Sequence, residues 1–171
     1  MKDYLASLAR YNLWATHRLY NALDMLPEAD YRGDAGLFFR SIHGTLNHLL
    51  VASDRIWYRR FAEGVSPRDV QLSDEIESDR LALKAALLRS AERWGELVQT
   101  FPAERYTGTI EYTTMRDTAA VLPFAATLGH VFNHGTHHRG QITAALTARG
   151  HAAPELDWVY MLQQEQARPA G

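Results

Sequence analysis

No cysteine occurs in the 171 residues, which excludes disulfides, thiolate metal ligands and a thiol nucleophile borne by the chain. Any thiol chemistry would need a thiol from outside. No apolar run approaches the ~20 residues that a spanning helix requires. The opening Met1-Lys2-Asp3-Tyr4-Leu5-Ala6-Ser7 places polar residues where a signal peptide would be apolar. No membrane partner is therefore expected, and the expected compartment is cytoplasmic. Net charge is small: 18 basic against 20 acidic side chains give −2, leaving no basic field to draw the chain to nucleic acid. A phosphate loop, a dinucleotide fingerprint and a Gly-x-Ser-x-Gly elbow are all missing. So are the His-Glu-x-x-His of zinc proteases and the Glu-x-x-His pairs of di-iron bundles.

What is present reads as one helical domain over residues 1–171. The hydrophobic share of 46% is that of an ordinary globular chain of a length that forms a core without staples. Tyr4, Leu8, Tyr11, Ala15, Leu19, Ala22 and Leu26 recur at helical steps, predicting a helix over Asp3–Leu26 that Pro27 stops. A loop follows to Leu37. A second helix is expected over Phe38–Glu63, with Ile42, Leu46, Leu49, Ser53, Ile56 and Arg60 on its inner stripe. A third is expected from Ser73 to Phe101, its acidic first turn suiting the positive helix end. Between Tyr106 and Val121 the period changes to alternation rich in β-branched residues, which predicts a strand or small hairpin. Pro123 suits the first turn of a fourth helix over Leu122–Arg149, ended by Gly150. A short helix over Leu156–Gln166 and a frayed Pro-Ala-Gly end complete the chain. The expected fold is an all-α antiparallel four-helix bundle with a β insertion between the third and fourth helices.

Eight histidines are the unusual feature, and four of them, His130, His134, His137 and His138, fall within nine residues. His130, His134 and His138 are spaced i, i+4, i+8 and form a column on the fourth helix. Two imidazoles one turn apart can aim nitrogens at a common point. A single such pair is weak evidence, since eight histidines in this length give about 0.4 by chance. Two facts add weight. The column lies on the predicted buried face, where unpaired imidazoles are costly to desolvate. His48 lies on the second helix at an edge of small residues, Ser41, Thr45 and Ala52, where another helix can come close. His48, His134 and His138 are thus the candidate ligands of a divalent metal ion. Three neutral ligands leave a free coordination position, as in catalytic rather than structural sites. Three imidazoles suit zinc, nickel, copper or iron(II) and do not choose among them. His130 lies two turns from His138, too far for one ion, and reads as a catalytic candidate or as a core residue.

The segments Tyr11-Asn12-Leu13-Trp14-Ala15, Asn47-His48-Leu49-Leu50 with Trp57, and above all Asn133-His134-Gly135-Thr136-His137-His138-Arg139-Gly140-Gln141-Ile142 resemble the DinB/YfiT-like family, as do Leu156-Asp157 and Tyr160. The resemblance spans essentially the whole chain. It implies a four-helix bundle, a divalent metal held by residues matching His48, His134 and His138, and a homodimer built by helix packing. Family members include damage-inducible proteins and transferases or isomerases that use a low-molecular-weight thiol. The reading that follows is a metal-dependent thiol S-transferase acting on a small-molecule substrate. The alternatives are a metal-dependent hydrolase, which would want a general base that no carboxylate near the ligands supplies, and a non-catalytic dimeric metal-binding module.

Arg139 is a second catalytic candidate, either guiding an anionic ligand or pairing with a carboxylate on the helix surface. Asn12 is a candidate to orient a ligand imidazole. Gly140 is expected to permit close helix packing and Asp157 to cap the last helix. His17, His43, His137 and His151 have no partner predictable from spacing.

Overall fold

Helix α1 (Lys2–Leu23) buries a wider face than its simple periodicity predicts. Leu5, Ala9, Leu19 and Leu23 turn into the bundle, whereas Tyr11 and Ala15 pack with Met161 of the last helix. Tyr4, expected inside, is 55% exposed and rests edge-on against Trp158. The helix ends at Leu23 because the Arg80 guanidinium takes the carbonyls of Leu23 and Leu26, partners that a helix end otherwise lacks. The structure, a computed structural model, describes residues 1–167; the Pro-Ala-Gly end expected to fray lies outside the described residues.

The expected loop after Pro27 contains a short helix, α2 (Glu28–Arg32), that buries Tyr31. Helix α3 (Ile42–Leu50) starts four residues later than the expected Phe38. Arg40 takes a left-handed φ of 66°, which interrupts a helical path, and the Ser41 hydroxyl then caps the Gly44 N–H at 2.9 Å. A Cβ on Gly44 would collide with the Phe39 carbonyl, so glycine lets this turn close. The chain continues as a π-helical segment (Val51–Tyr58) and a final α turn, α4 (Arg59–Ala62).

Helix α5 (Arg80–Thr100) begins at an Asp79 cap, not at Ser73. The polar side chains expected to open it serve the preceding segment: Asp74 accepts from the Gln71 N–H and Glu77 from the Asp79 N–H. Such local bonds compete with helix formation. Helix direction explains why the segment must be irregular. Lys2 reaches the carbonyls of Gln99 and Phe101 at the far end of α5, so α1 and α5 are antiparallel. Phe61 meets Phe124 and His48 meets His134, so α3–α4 and α6 are antiparallel as well. By contrast, Leu46 packs at the level of Leu83 and Leu87, and Ser53 bonds Trp94, so α3 and α5 run the same way. Two successive parallel helices need a crossover. Residues 63–79 provide it, spanning a helix ~30 Å long with chain that can reach about 55 Å.

A 3₁₀ turn (Ala103–Thr107) holds Tyr106, expected in a strand, whose hydroxyl donates to the Val98 carbonyl at 2.8 Å. Strands β1 (Thr109–Thr113) and β2 (Ala119–Pro123) form the antiparallel hairpin with Ile110 opposite Leu122. The Arg60 guanidinium sits between Trp57 and Tyr112, 4.6 and 4.2 Å from the ring centres, and ties the hairpin to the bundle. Pro123 precedes α6 (Phe124–Ala148), which Gly150 ends at φ 77°. Helix α7 (Trp158–Ala167) packs on α1 and starts two residues later than expected. Two apolar clusters build the core, one around Leu19, Ile42, Leu46 and Ile142, the other around Phe61, Trp94, Phe124 and Phe132. Along α6, His134 and His138 fall between these clusters, and on α3 His48 lies among residues of the first. Among the described residues, no helix is long and apolar enough to cross a membrane.

Candidate metal centre

The bundle brings His48 of α3 together with His134 and His138 of α6, their ligating nitrogens all within 4.8 Å of one another. His134 Nε2 is central, 3.2 Å from His48 Nε2 and 3.1 Å from His138 Nε2. Two nitrogens bound tetrahedrally to one ion at 2.0–2.1 Å lie about 3.3 Å apart, close to both separations.

The outer nitrogens set the inner ones. His48 Nδ1 donates to the Leu72 carbonyl at 2.8 Å, and His138 Nδ1 donates to Gln141 Oε1 at 2.7 Å. Both acceptors fix the ring hydrogen on Nδ1, so both Nε2 atoms present lone pairs. His134 can offer its Nε2 hydrogen to one of them at most. At least one lone pair is therefore left without a donor inside the cluster unless a cation lies among them, and the donor set fits a metal ion better than a hydrogen-bonded cluster. Phe39 covers the site, stacked on His48 with ring centres 3.8 Å apart and 5.8 Å from the His138 ring.

Electrostatics keep the three rings neutral. Burial lowers the His134 pKa to about 3, with repulsion from His138, His48, His130 and His137 adding to it. Burial lowers His138 to about 4 against the raising effect of Gln141, and lowers His48 against that of the Leu72 carbonyl. Neutral imidazole is the form that binds metal, so protons compete little at neutral pH. The same shifts predict acid sensitivity of the metal-free protein. Below the unfolded value of about 6.5 the unfolded chain takes up protons that the folded chain refuses until about 4 for His138 and 3 for His134. Stability should therefore fall as pH drops through that window. Urea midpoints measured from pH 7 to pH 4 check this, and a flat profile would contradict it.

Clamping of the crossover over His48 has no counterpart in the sequence reading. Asn47 is 1% exposed; its amide donates to the Glu77 carbonyl at 3.0 Å, and its Oδ1 accepts the Glu77 N–H at 2.9 Å. The segment thus held supplies the Leu72 carbonyl. Gln141 has the matching role for His138, and its i, i+3 spacing from that ligand was the available signal. Gln141→Leu is expected to weaken metal binding about 10- to 100-fold with little change in fold stability, as measured by competition with a chromogenic chelator.

Other candidates fall elsewhere. His130 is exposed, packs against Trp57 and stays outside the ligand cluster, so it is not a core residue. Arg139 is not on the surface: it is 3% exposed and donates to Asn12 Oδ1 at 2.7 Å and Thr136 Oγ1 at 3.2 Å. Asn12 consequently binds Arg139 and orients no ligand imidazole. It is Gly135 that gives close approach, since a Cβ there would lie 3.0 Å from Arg139 Nη1, whereas one on Gly140 would meet nothing. His43 is paired with Glu75 and His151 with Asp30, at 2.9 and 2.8 Å.

Comparison with known proteins shows the family. The model of the DinB family matches residues 1–168. Protein DinB of Bacillus subtilis (strain 168) is 30% identical over 176 residues, covering 98% of this chain and 100% of the relative. With nearly the whole chain covered by both matches, the protein belongs to the DinB family.

Proposed function

We propose that the protein binds one divalent metal ion through His48, His134 and His138 and is a metal-dependent thiol S-transferase acting on a small-molecule substrate. The observation that carries the first part is the convergence of three Nε2 atoms, two of them held as lone-pair donors by Leu72 and Gln141. Zinc, nickel and iron(II) all suit an imidazole-only set. A divalent ion there supplies the Lewis acidity that keeps a bound thiol as thiolate near neutral pH.

Three features support transfer. Three ligands leave a coordination position for an incoming group. The chain has no cysteine of its own, which suits a reaction whose thiol is a co-substrate. Among the described residues the ligand cluster contains histidines alone, with no carboxylate in it of the kind a hydrolytic base would want. The role of the chain's residues is to hold the three imidazoles neutral and aimed, with Phe39 shielding the His48 side from water. A homodimer is part of the proposal and rests on the family resemblance; light scattering of the purified chain checks it.

Incubating the metal-loaded protein with a panel of low-molecular-weight thiols and electrophiles, read by mass spectrometry, tests the activity. Thioether products with wild type and none with His134→Ala are expected. Ester or amide cleavage without thiol incorporation would replace transferase by hydrolase, and full metal occupancy without any turnover would leave a binding module.

A further inference from the structure

A cavity of about 30 Å³ adjoins His134, enclosed by α1, α3 with its π-helical continuation, α5 and α6. At the ~10–15 Å³ that one water needs, it has room for two waters or one carboxylate-sized group. Asn12, Thr16, Ser53, Ser90, His134 and Arg139 supply its polar lining, and no acidic residue is among the described residues that line it. All partners of Arg139 are neutral: Asn12 Oδ1, Thr136 Oγ1 and the face of Tyr11, 5.4 Å away. Its Nε is buried and has no hydrogen-bond partner, and neither has the Ser90 hydroxyl, although Ser90 is 2% exposed. Burial lowers the Arg139 pKa but leaves a guanidinium charged.

A buried cation surrounded by neutral dipoles is costly unless an anion joins it. Two residues that line the one cavity each carry a buried donor without a partner, and such donors supply the hydrogen bonds an anion would accept. Gly135 keeps the approach clear, since a side chain there would press on Arg139 and Asn12.

We propose that this cavity is an anion subsite for a carboxylate-sized group, with Arg139 Nε and Ser90 Oγ as its donors. Its position beside His134 makes it the seat for the acidic end of the small-molecule substrate, a step that rests on the metal-site reading. Occupancy of the cavity itself does not rest on it.

Thermal melting of the full chain, chelator-treated and metal-loaded, in sodium formate against sodium gluconate at equal sodium concentration tests this. Formate fits the cavity and gluconate does not. A saturable rise in Tm with formate is expected in both states. Ser90→Ala should need about tenfold more formate for half the shift, and Arg139→Gln should not respond. Should Arg139→Gln fail to fold, the Ser90→Ala comparison decides alone. Equal melting in the two salts, or a formate response unchanged in Ser90→Ala, would mean that the cavity holds only water. A response confined to the metal-loaded protein would assign the anion to the ion and overturn the subsite. Loss of metal binding from wild type would sink the metal reading and leave the formate result in the chelated protein intact.

Discussion

Replacing His134 with alanine should lower metal affinity by more than ~100-fold, beyond the effect of losing a partner behind a ligand, and should make the metal-free protein more tolerant of acid. Both effects have one cause. His134 Nε2 stands 3.2 and 3.1 Å from the other two ligand nitrogens, so its removal leaves two donors and breaks the cluster. The same ring is the one whose protonation the fold resists most, with a pKa of about 3. In wild type, the unfolded state gains a proton at this position from about pH 6.5 downward that the folded state does not accept. Without His134 that contribution disappears, while burial still holds His138 low. The metal-free variant should thus lose less stability than wild type between pH 7 and pH 4. A residue that stabilises the loaded protein and destabilises the empty one at low pH is one kept for function. Parallel acid titrations of the two chelated proteins by circular dichroism check this, and superimposable curves would count against it.

Asn47→Ala is expected to destabilise the fold by about 2 to 4 kcal/mol and to weaken metal binding at the same time. The Glu77 N–H and carbonyl would both lose their partner in a part-buried place, where each unsatisfied group costs toward the lower end of ~1–3 kcal/mol. A drop in Tm of roughly 10 °C corresponds to that loss in a chain of this size. The metal effect follows because the loosened crossover no longer holds the Leu72 carbonyl against His48 Nδ1. Asn47→Ala and Gln141→Leu should therefore differ: both weaken the ion, but only Asn47→Ala lowers the urea midpoint of the metal-free protein substantially. Equal stability of Asn47→Ala and wild type would refute the clamp.

The helices were legible because their apolar residues recur at helical steps and Pro27, Gly64 and Gly150 punctuate them. The column on α6 was legible for the same reason, and His48 because small residues beside it advertise a close helix contact. The crossover was not: Ser73 and the acidic residues after it imitate a helix start, and only the parallel course of α3 and α5 requires an extended return. The partner of His48 was illegible in a stricter sense. It is the Leu72 carbonyl, a backbone atom that leaves no residue-type signal. Phe39 was hidden because a single left-handed residue, Arg40, turns what reads as a helix start into a loop folded over the site. Arg139 follows His138 in sequence, which suggests a shared site, yet successive helical residues point about 100° apart. That rotation carries Arg139 away from the ion and toward α1.

Metal content per chain, determined by elemental analysis of wild type, His48→Ala, His134→Ala and His138→Ala purified identically, tests the central claim most directly. The predicted result is one divalent ion per wild-type chain and near-zero occupancy in each variant, with helical content unchanged. Equal metal content in all four proteins would contradict it.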